Sequence, residues 1–511
     1  MDMKKIESIY GQGGSANRPL PEDWRYRVPH PVLDDHPEWI DMYYKCWEIA
    51  ASSVRLPNTE NGFVSLYMDE NFSPQIFIWD TAFMAMFGRY APDLVPGIRS
   101  LDNFYVKQHE DGYICREIQE WDGRDFWPKE NPNNLNPPLM AWVEWENFLL
   151  SGDMERLRRV LPHLKRHFRW IQNHRMNQRG LYWSNGLSSG MDNVPRPSIY
   201  PDELNPTIHR DWKTWPLPVE PLPSWICLTA QQAQSAYYIA KIADVIGDEK
   251  TQDAFAGEYR ALSTKINAEM WDDAGGLYVD LERDGSMSTV KSIAAFWPLL
   301  GEIAPRDRVA RMIREHLLNE NEFNRPHRVP TLSYDHPLYN PHGEYWRGSV
   351  WAPTNYMLVK GLEQYGYHTE VVEIVENHLA NMADVFAESG TIWENYAPES
   401  ANPGSISRSD FVGWSGCGPI AMLIENIIGL KLNAPCNEIR WDVYRHDRFG
   451  VRDLSFKGKR VSLVATVTDD DAEFVIESDV PFRLKIQLFG RKEFEREIAA
   501  GIETFHVAIS W

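Results

Sequence analysis

Apolar positions recur three and four residues apart over twelve stretches of the chain, at about 37–56, 78–90, 95–109, 136–151, 153–176, 224–247, 249–271, 287–300, 305–318, 346–366, 368–388 and 415–430. That spacing predicts twelve helices. The links between them alternate in length. After the even-numbered helices they are only a few residues, as in Ala91–Val95, Ser151–Gly152 and Gly301–Pro305. After the odd-numbered helices they are long, about 57–77, 110–135, 177–223, 272–286, 319–345 and 389–414. Short links make antiparallel neighbours, and long loops inside a compact domain carry function. The expected fold is mainly α, an (α/α)6 toroid of six helical hairpins with every long loop on one face. An irregular helical array is the alternative.

From about Cys436 the period changes to two. Arg460–Thr468, Ala472–Asp479, Phe482–Phe489, Lys492–Ile498 and Glu503–Ser510 alternate apolar and polar residues between Asp-rich or Gly turns, predicting a small C-terminal β-sandwich-like domain. The expected division is an extended Gly- and Pro-rich arm over 1–33, the helical catalytic domain over 34–435 and the β domain over 436–511. The β domain shows no catalytic cluster, and the Asp-rich turn Thr468–Asp471 reads as a solvated turn rather than a calcium site.

Charge and composition narrow the partners. A net charge of −21 repels nucleic acid and anionic membrane surfaces. No stretch offers the roughly 20 apolar residues of a membrane span, and no apolar stretch follows Lys4 and Lys5 as in a secretory leader. Five scattered cysteines fit neither a disulfide framework nor a CxxC zinc site, so the expected location is the cytoplasm. The excess lies in aromatic residues: 21 Trp, 22 Tyr and 21 Phe, which pack cores but also stack on sugar rings. The expected partner is a small carbohydrate, with no metal or cofactor.

The third long loop holds Gly186-Leu187-Ser188-Ser189-Gly190-Met191-Asp192-Asn193-Val194-Pro195-Arg196, and the sixth holds Trp393-Glu394-Asn395-Tyr396. In a six-fold ring, loops three and six lie opposite each other, so Asp192 and Glu394 face across a cleft. Two such carboxyls are what glycoside hydrolysis requires, one to protonate the leaving oxygen and one to activate water. Alone, Asp192 reads more readily as a turn former or helix cap, and the opposed placement is what changes that balance. Trp79 and Asp80 sit at the mouth end of the second helix, where Asp80 is either a cap or a sugar ligand. The fifth loop runs Tyr345-Trp346-Arg347-Gly348-Ser349-Val350-Trp351, a platform of two tryptophans with an arginine handle, and the helix should begin between Trp346 and Trp351.

Together Ile78-Trp79-Asp80, Gly190–Arg196, Tyr345–Trp351 and Trp393–Tyr396 resemble the trehalase-like inverting glycosidases over about residues 70–430. The nearest resemblance is to glycoside hydrolase family 63, of processing α-glucosidases and mannosylglycerate hydrolases; family 37 trehalases are more distant. The resemblance implies the toroid, with Asp192 as general acid and Glu394 as general base. Trp79, Asp80, Trp346 and Trp351 are implied to line the subsite for the cleaved sugar. Arg196, Tyr345, Arg347, Gly348, Trp393 and Trp414 complete the expected substrate-binding set. Arg116, Arg196 and Arg347 are the guanidinium groups able to meet a carboxylate aglycone. Two other classes stay open: an epimerase or lyase on the same toroid using His209, His336 or His342, and a silent sugar-binding protein.

Overall fold

The computed structural model describes residues 17–70, 72–201 and 215–509. Helical segments stand at all twelve predicted places. They are α1 (Pro37–Ser52), α2 (Ile78–Gly88), α3 (a 3-10 turn Gly97–Leu101 running into Asp102–Val106), α4 (Met140–Ser151), α5 (Met154–Arg175) and α6 (Ile226–Ile246). Then follow α7 (Glu249–Glu269), α8 (a 3-10 segment Ile293–Leu299), α9 (Arg306–Met312, continued in π geometry over Ile313–Leu317), α10 (Ala352–Tyr365), α11 (His368–Ser389) and α12 (Ser415–Cys417, then π geometry over Gly418–Ile427). The eighth is shorter than the periodicity suggested, because the stretch before Ile293 is extended: Met287 bridges Leu281, Ser288 N donates to Asp280 O and Ser292 bridges Leu332.

Sequence separates these segments into two kinds. Every residue of α2 is buried, as is every residue of Gly418–Ile427, and both are apolar nearly all round. Such helices belong in the interior. The outer helix α5 instead carries a narrow buried stripe of Leu157, Val160, Leu161, Leu164, Phe168 and Ile171 against a face rich in Arg and Lys. The even-numbered segments pack in series, α2 on α4, α4 on α6, α6 on α8, α8 on α10 and α10 on α12, and α12 returns to α2. The outer α11 likewise packs against α1. Each even-numbered segment is entered from a long loop, so six loops converge on one end.

The other end meets the β module. Five strands pair in the order β1 (His30–Leu33), β4 (Arg448–Phe456), β5 (Lys459–Val467), β6 (Asp471–Ser478) and β9 (Gly501–Ala508), all antiparallel. A second sheet runs β8 (Lys492–Ile498), β7 (Phe482–Leu488), β3 (Glu438–Val443) and β2 (Leu430–Asn433), with β7 parallel to β3. Trp441 of the second sheet meets Phe449 and Phe474 of the first at ring centroid distances of 5.7 and 5.4 Å, so the sheets face each other. The end of the N-terminal arm is thus a strand of the first sheet, and the second sheet begins at Leu430, ahead of Cys436. The turn between β4 and β5 docks on the end of α4, where Lys457 N donates to Leu150 O at 3.3 Å. Thr468 closes the Asp-rich turn through its own N and Oγ1 on Asp471 O. Among the described residues, no helix is long and apolar enough to cross a membrane.

Candidate active site

The third loop is shaped before it delivers Asp192. Asn185 caps a single helical turn, Gly186–Ser189, accepting from Ser188 N at 2.9 Å. Gly190 then takes φ +75°, and a Cβ there would lie 2.7 Å from the Trp79 ring. Only glycine satisfies both demands. Asn193 ties this loop to the fifth: its Nδ2 donates to Glu344 O at 3.0 Å and its Oδ1 accepts from Trp346 N at 2.8 Å. Tyr345, at φ +60°, holds a left-handed backbone that a non-glycine residue adopts only when its surroundings enforce it.

The sixth loop folds back on itself to fix Glu394. Glu394 N donates to Arg408 O at 2.9 Å, and the Arg408 Nη1 donates to Glu394 Oε1 at 2.9 Å. Trp414 Nε1 donates to Glu394 O at 3.0 Å. Asn395 is clamped between Ile406 O and Ser407.

These loops enclose a cavity of about 80 Å3, lined by Phe72, Phe77, Trp79, Asp80, Arg116, Asn136, Leu187, Gly190, Asp192, Tyr345, Trp346, Arg408 and Trp414. That is room for roughly five to eight waters. Glu394 stands in the wall behind Arg408 and Trp414. Its side chain is 1% exposed, and its Oε2 has no protein partner. Asp80 Oδ1 and Trp79 Nε1 are buried without one as well. Polar atoms left so in an otherwise packed interior await a ligand or solvent.

Burial dominates the electrostatics. It raises Asp192 to about 6, against the opposing pull of Arg116. It raises Glu394 to about 7, against Arg408, and Asp80 to about 7. Glu70 is pushed well above the carboxylate range by burial and by Asp80 and Asp69 beside it. Tyr345 feels Glu394, Asp192 and Asp80 together, so the carboxyls converge on one ring.

Of the residues expected at the substrate, Trp79, Asp80, Tyr345, Trp346 and Trp414 line the cavity with Asp192. Five do not. Arg196 is spent on Asp280, pairing through Nε and, at 2.6 Å, through Nη2, over the ring of Trp225; Asp280 also accepts from Ile226 N, so the pair pins the start of α6. Arg347 is half-exposed, donating to Asn193 O at 3.3 Å and facing Glu344. Gly348, at φ +114°, makes room for Asn340 and Tyr339. Trp393 points its Nε1 at Ser389. Trp351 lies behind Trp346, their rings parallel within 4° and 3.9 Å apart, so only Trp346 reaches the cavity. The helix starts at Ala352, after both tryptophans rather than between them, because extended Trp351 precedes it and Pro353 opens its first turn.

His336 and His342 lie outside the cavity lining, and His209 lies outside the described residues. Arg408, Phe72, Phe77, Asn136 and Leu187 were not singled out by sequence reasoning, nor was Glu70 close behind. No local motif marks them. The one usable signal was their position in long loops that must converge.

Comparison with known proteins agrees with this architecture. Residues 73–415 match the family model described as the mannosylglycerate hydrolase MGH1-like glycoside hydrolase domain. The match spans more than half the chain, and the chain belongs to that family: it is a glycoside hydrolase of the family 63 type. An uncharacterized protein from Borreliella burgdorferi is 28% identical over 79% of this chain and 82% of its own. A probable mannosyl-oligosaccharide glucosidase from Schizosaccharomyces pombe is 22% identical over 55% of this chain and 33% of its own. Among solved structures, the family 63 mannosylglycerate hydrolase from Thermus thermophilus, in complex with glucose, superposes with a TM-score of 0.58 at 20% identity over 75% of this chain and 99% of that one.

Proposed function

We propose that the protein hydrolyses an α-linked glucoside, or a related small glycoside or oligosaccharide, with inversion, using Asp192 as general acid and Glu394 as general base. The observation that carries this reading is that Asp192, partly buried in the cavity lining, and Glu394, enclosed in the wall behind it, both act on Tyr345 of one tryptophan-lined cavity. The closed series of inner helices supports an (α/α)6 toroid, with an appended β-sandwich formed by His30–Leu33 and the strands from Leu430 onward.

The proton must sit on Asp192 and the charge on Glu394. In the free cavity their order is close and inverted, about 6 against about 7. Substrate corrects it. Asp192 is only partly buried in the free protein, so a sugar covering it removes water and raises it further, whereas Glu394 is already enclosed and changes less. The acid then protonates the leaving oxygen, while Glu394 Oε2 takes the proton of a water attacking from the other face. Trp79 and Trp346 supply the apolar wall, and Asp80 accepts from sugar hydroxyls.

The histidine-based alternatives lose support, since neither His336 nor His342 reaches the cavity. The glucosidase and mannosylglycerate hydrolase among the relatives support a small-carbohydrate substrate. Of the three arginines considered for a carboxylate aglycone, only Arg116 lines the cavity, and it is held by Glu117 at 2.6 Å and by Leu187 O.

The test is a panel of α-glucosides and α-mannosides followed by NMR from the first turnover. Initial release of the β-anomer, with Asp192→Asn and Glu394→Gln each lowering kcat about 10²–10⁴-fold, is expected. Initial release of the α-anomer overturns inversion, and full activity in either variant overturns the roles.

A further inference from the structure

Arg408 does more than neighbour the base. Its Nη1 bonds Glu394 Oε1, its carbonyl receives Glu394 N, and its guanidinium lies 4.4 Å from the centroid of the Phe72 ring. Side chain and backbone therefore clamp Glu394 from one residue. The clamp takes one carboxylate oxygen only, and Oε2 is left buried without a protein partner.

Arg408 also forms a partition. A second cavity of about 430 Å3 adjoins the first; Phe72 and Arg408 line both, and Glu70 lines the second. Its remaining wall comes from α1, through Lys45, Ile49 and Ser52, and from the sixth loop at Ser409–Phe411.

We propose that Arg408 is the positioning residue of the reaction: it fixes Glu394 Oε1, so that Oε2 alone faces the attacking water, and it supplies the charge against which Glu394 ionises in its enclosed wall. This rests on the reading of Glu394 as the base. A carboxyl so enclosed takes up a proton unless a cation bonds it, and Arg408 is the largest force opposing the rise that burial imposes on Glu394. Guanidinium is suited to this, because it stays charged when enclosed and its planar group is pre-organised for hydrogen bonding.

Losing Arg408 raises the proton affinity of Glu394. Whichever limb of the pH profile reports Glu394 then moves to higher pH, and the optimum moves with it whatever the order of the two carboxyls. An opposite charge at this range shifts a carboxyl by about 1–3 units, which moves the optimum by about half that.

The experiment compares the full-length protein with Arg408→Ala and Arg408→Lys, each checked by thermal melting, on an α-glycoside turned over by the wild type. Arg408→Ala is expected to lower kcat by tenfold or more near pH 6 and to shift the optimum upward, with KM changed less than kcat. Arg408→Lys should fall between the two, and it keeps the test decisive where the alanine variant does not fold. Removing the side chain joins the two cavities, so added guanidinium at a non-denaturing concentration should restore activity to Arg408→Ala. Lost activity with an unmoved pH profile and no guanidinium rescue would make Arg408 merely structural and overturn the proposal, as would full activity in Arg408→Ala. Glu394→Gln is run alongside: its full activity means that the base reading itself has failed, whereas its inactivity, without guanidinium rescue, confines any failure to Arg408.

Discussion

Two sets of buried carboxyls lie at opposite ends of the inner helices, and their surroundings push them in opposite directions. The segment α2 spans both ends, with Asp80 in its first turn and Arg89 just past its last. At the Arg89 end, Glu425 and Glu146 face Arg89 and Lys360. Arg89 meets Glu425 at 2.7 Å and Glu146 at 3.1 Å, Lys360 meets Glu425 at 3.2 Å, and the hydroxyl of Tyr90 donates to Glu425 at 2.8 Å. Burial alone would raise these carboxyls, but Lys360 and Arg89 outweigh it, and Glu425 falls well below the usual carboxylate range. At the Asp80 end, Glu70, Asp80, Asp192 and Glu394 outnumber Arg116 and Arg408, and all four are raised. Enclosure thus gives two outcomes. Matched by cations, it makes ionic struts; undermatched, it makes groups that exchange protons near neutral pH, which is where acid–base chemistry operates.

The largest effect that separates the two ends is a double dissociation. Glu394→Gln should remove about 10²–10⁴ of kcat with a modest change in melting temperature. Glu425→Gln should do the reverse, costing about 3–5 kcal/mol of stability by leaving Arg89 and Lys360 undercompensated, while the folded fraction keeps its kcat. Chemical denaturation and active-site-titrated kinetics on the same samples read both. A Glu425→Gln variant that is stable but inactive would erase the contrast.

Trp346 comes next, because it belongs to both the site and the core. It is 1% exposed and stacks on Trp351, yet it lines the cavity. From sequence it reads as half of a sugar platform. Packed as it is, Trp346→Ala should cost about 3–5 kcal/mol and also raise KM. Trp351→Ala should show the stability loss with a smaller KM change, since it lies behind Trp346, Tyr345 and Trp414 rather than in the cavity lining.

The pH dependence of stability follows with the sign fixed by direction. The four raised carboxyls bind protons in the folded state that the unfolded chain has released, so between about pH 4 and 7 stability falls as pH rises. Glu425 and Glu146 act oppositely: their contribution is complete above their unfolded values and is lost as pH falls through their depressed folded ones. The melting temperature should therefore be higher near pH 5 than at pH 8. Asp80→Asn should shrink that difference, because Asp80 is raised to about 7. A flat or rising profile over this window would show that the Asp80 end is better compensated than its geometry implies.

How much of this was legible in the sequence divides along the same physical line. The helices were, because burial on one face writes a period into the chain, and so was the gathering of the third, fifth and sixth loops at one end, because alternating link lengths order the loops. Partners brought together by long-range closure were not. Nothing near Arg408 announces that it will clamp Glu394, nothing near His30–Leu33 announces pairing with Arg448–Phe456, and the strands Leu430–Asn433 and Glu438–Val443 follow α12 without a turn signal strong enough to mark them. Arg196, Gly348 and Trp393 show the converse. They lie within the motifs that carry the resemblance, yet they serve the scaffold that holds those motifs, one pinning α6 and the others shaping loops.

The smallest expected effect concerns Arg347, the handle between the two tryptophans. Its guanidinium is half-exposed, its carboxylate partner Glu344 is 3.6 Å away, and its one hydrogen bond reaches the backbone of Asn193. Exposed pairs of this kind contribute about 0–1 kcal/mol, and the link between the third and fifth loops is already made by the Asn193 side chain through Trp346 N and Glu344 O. Arg347→Ala should therefore change kcat/KM by less than about fivefold, near 1 kcal/mol, and the melting temperature by only a degree or two. Asn193→Ala should do more on both counts, because it cuts two bonds that fix Trp346 relative to Asp192. Steady-state kinetics on the two variants decides the matter: a larger loss in Arg347→Ala than in Asn193→Ala would mean that the guanidinium reaches substrate, and that the sugar extends past Tyr345 towards the rim.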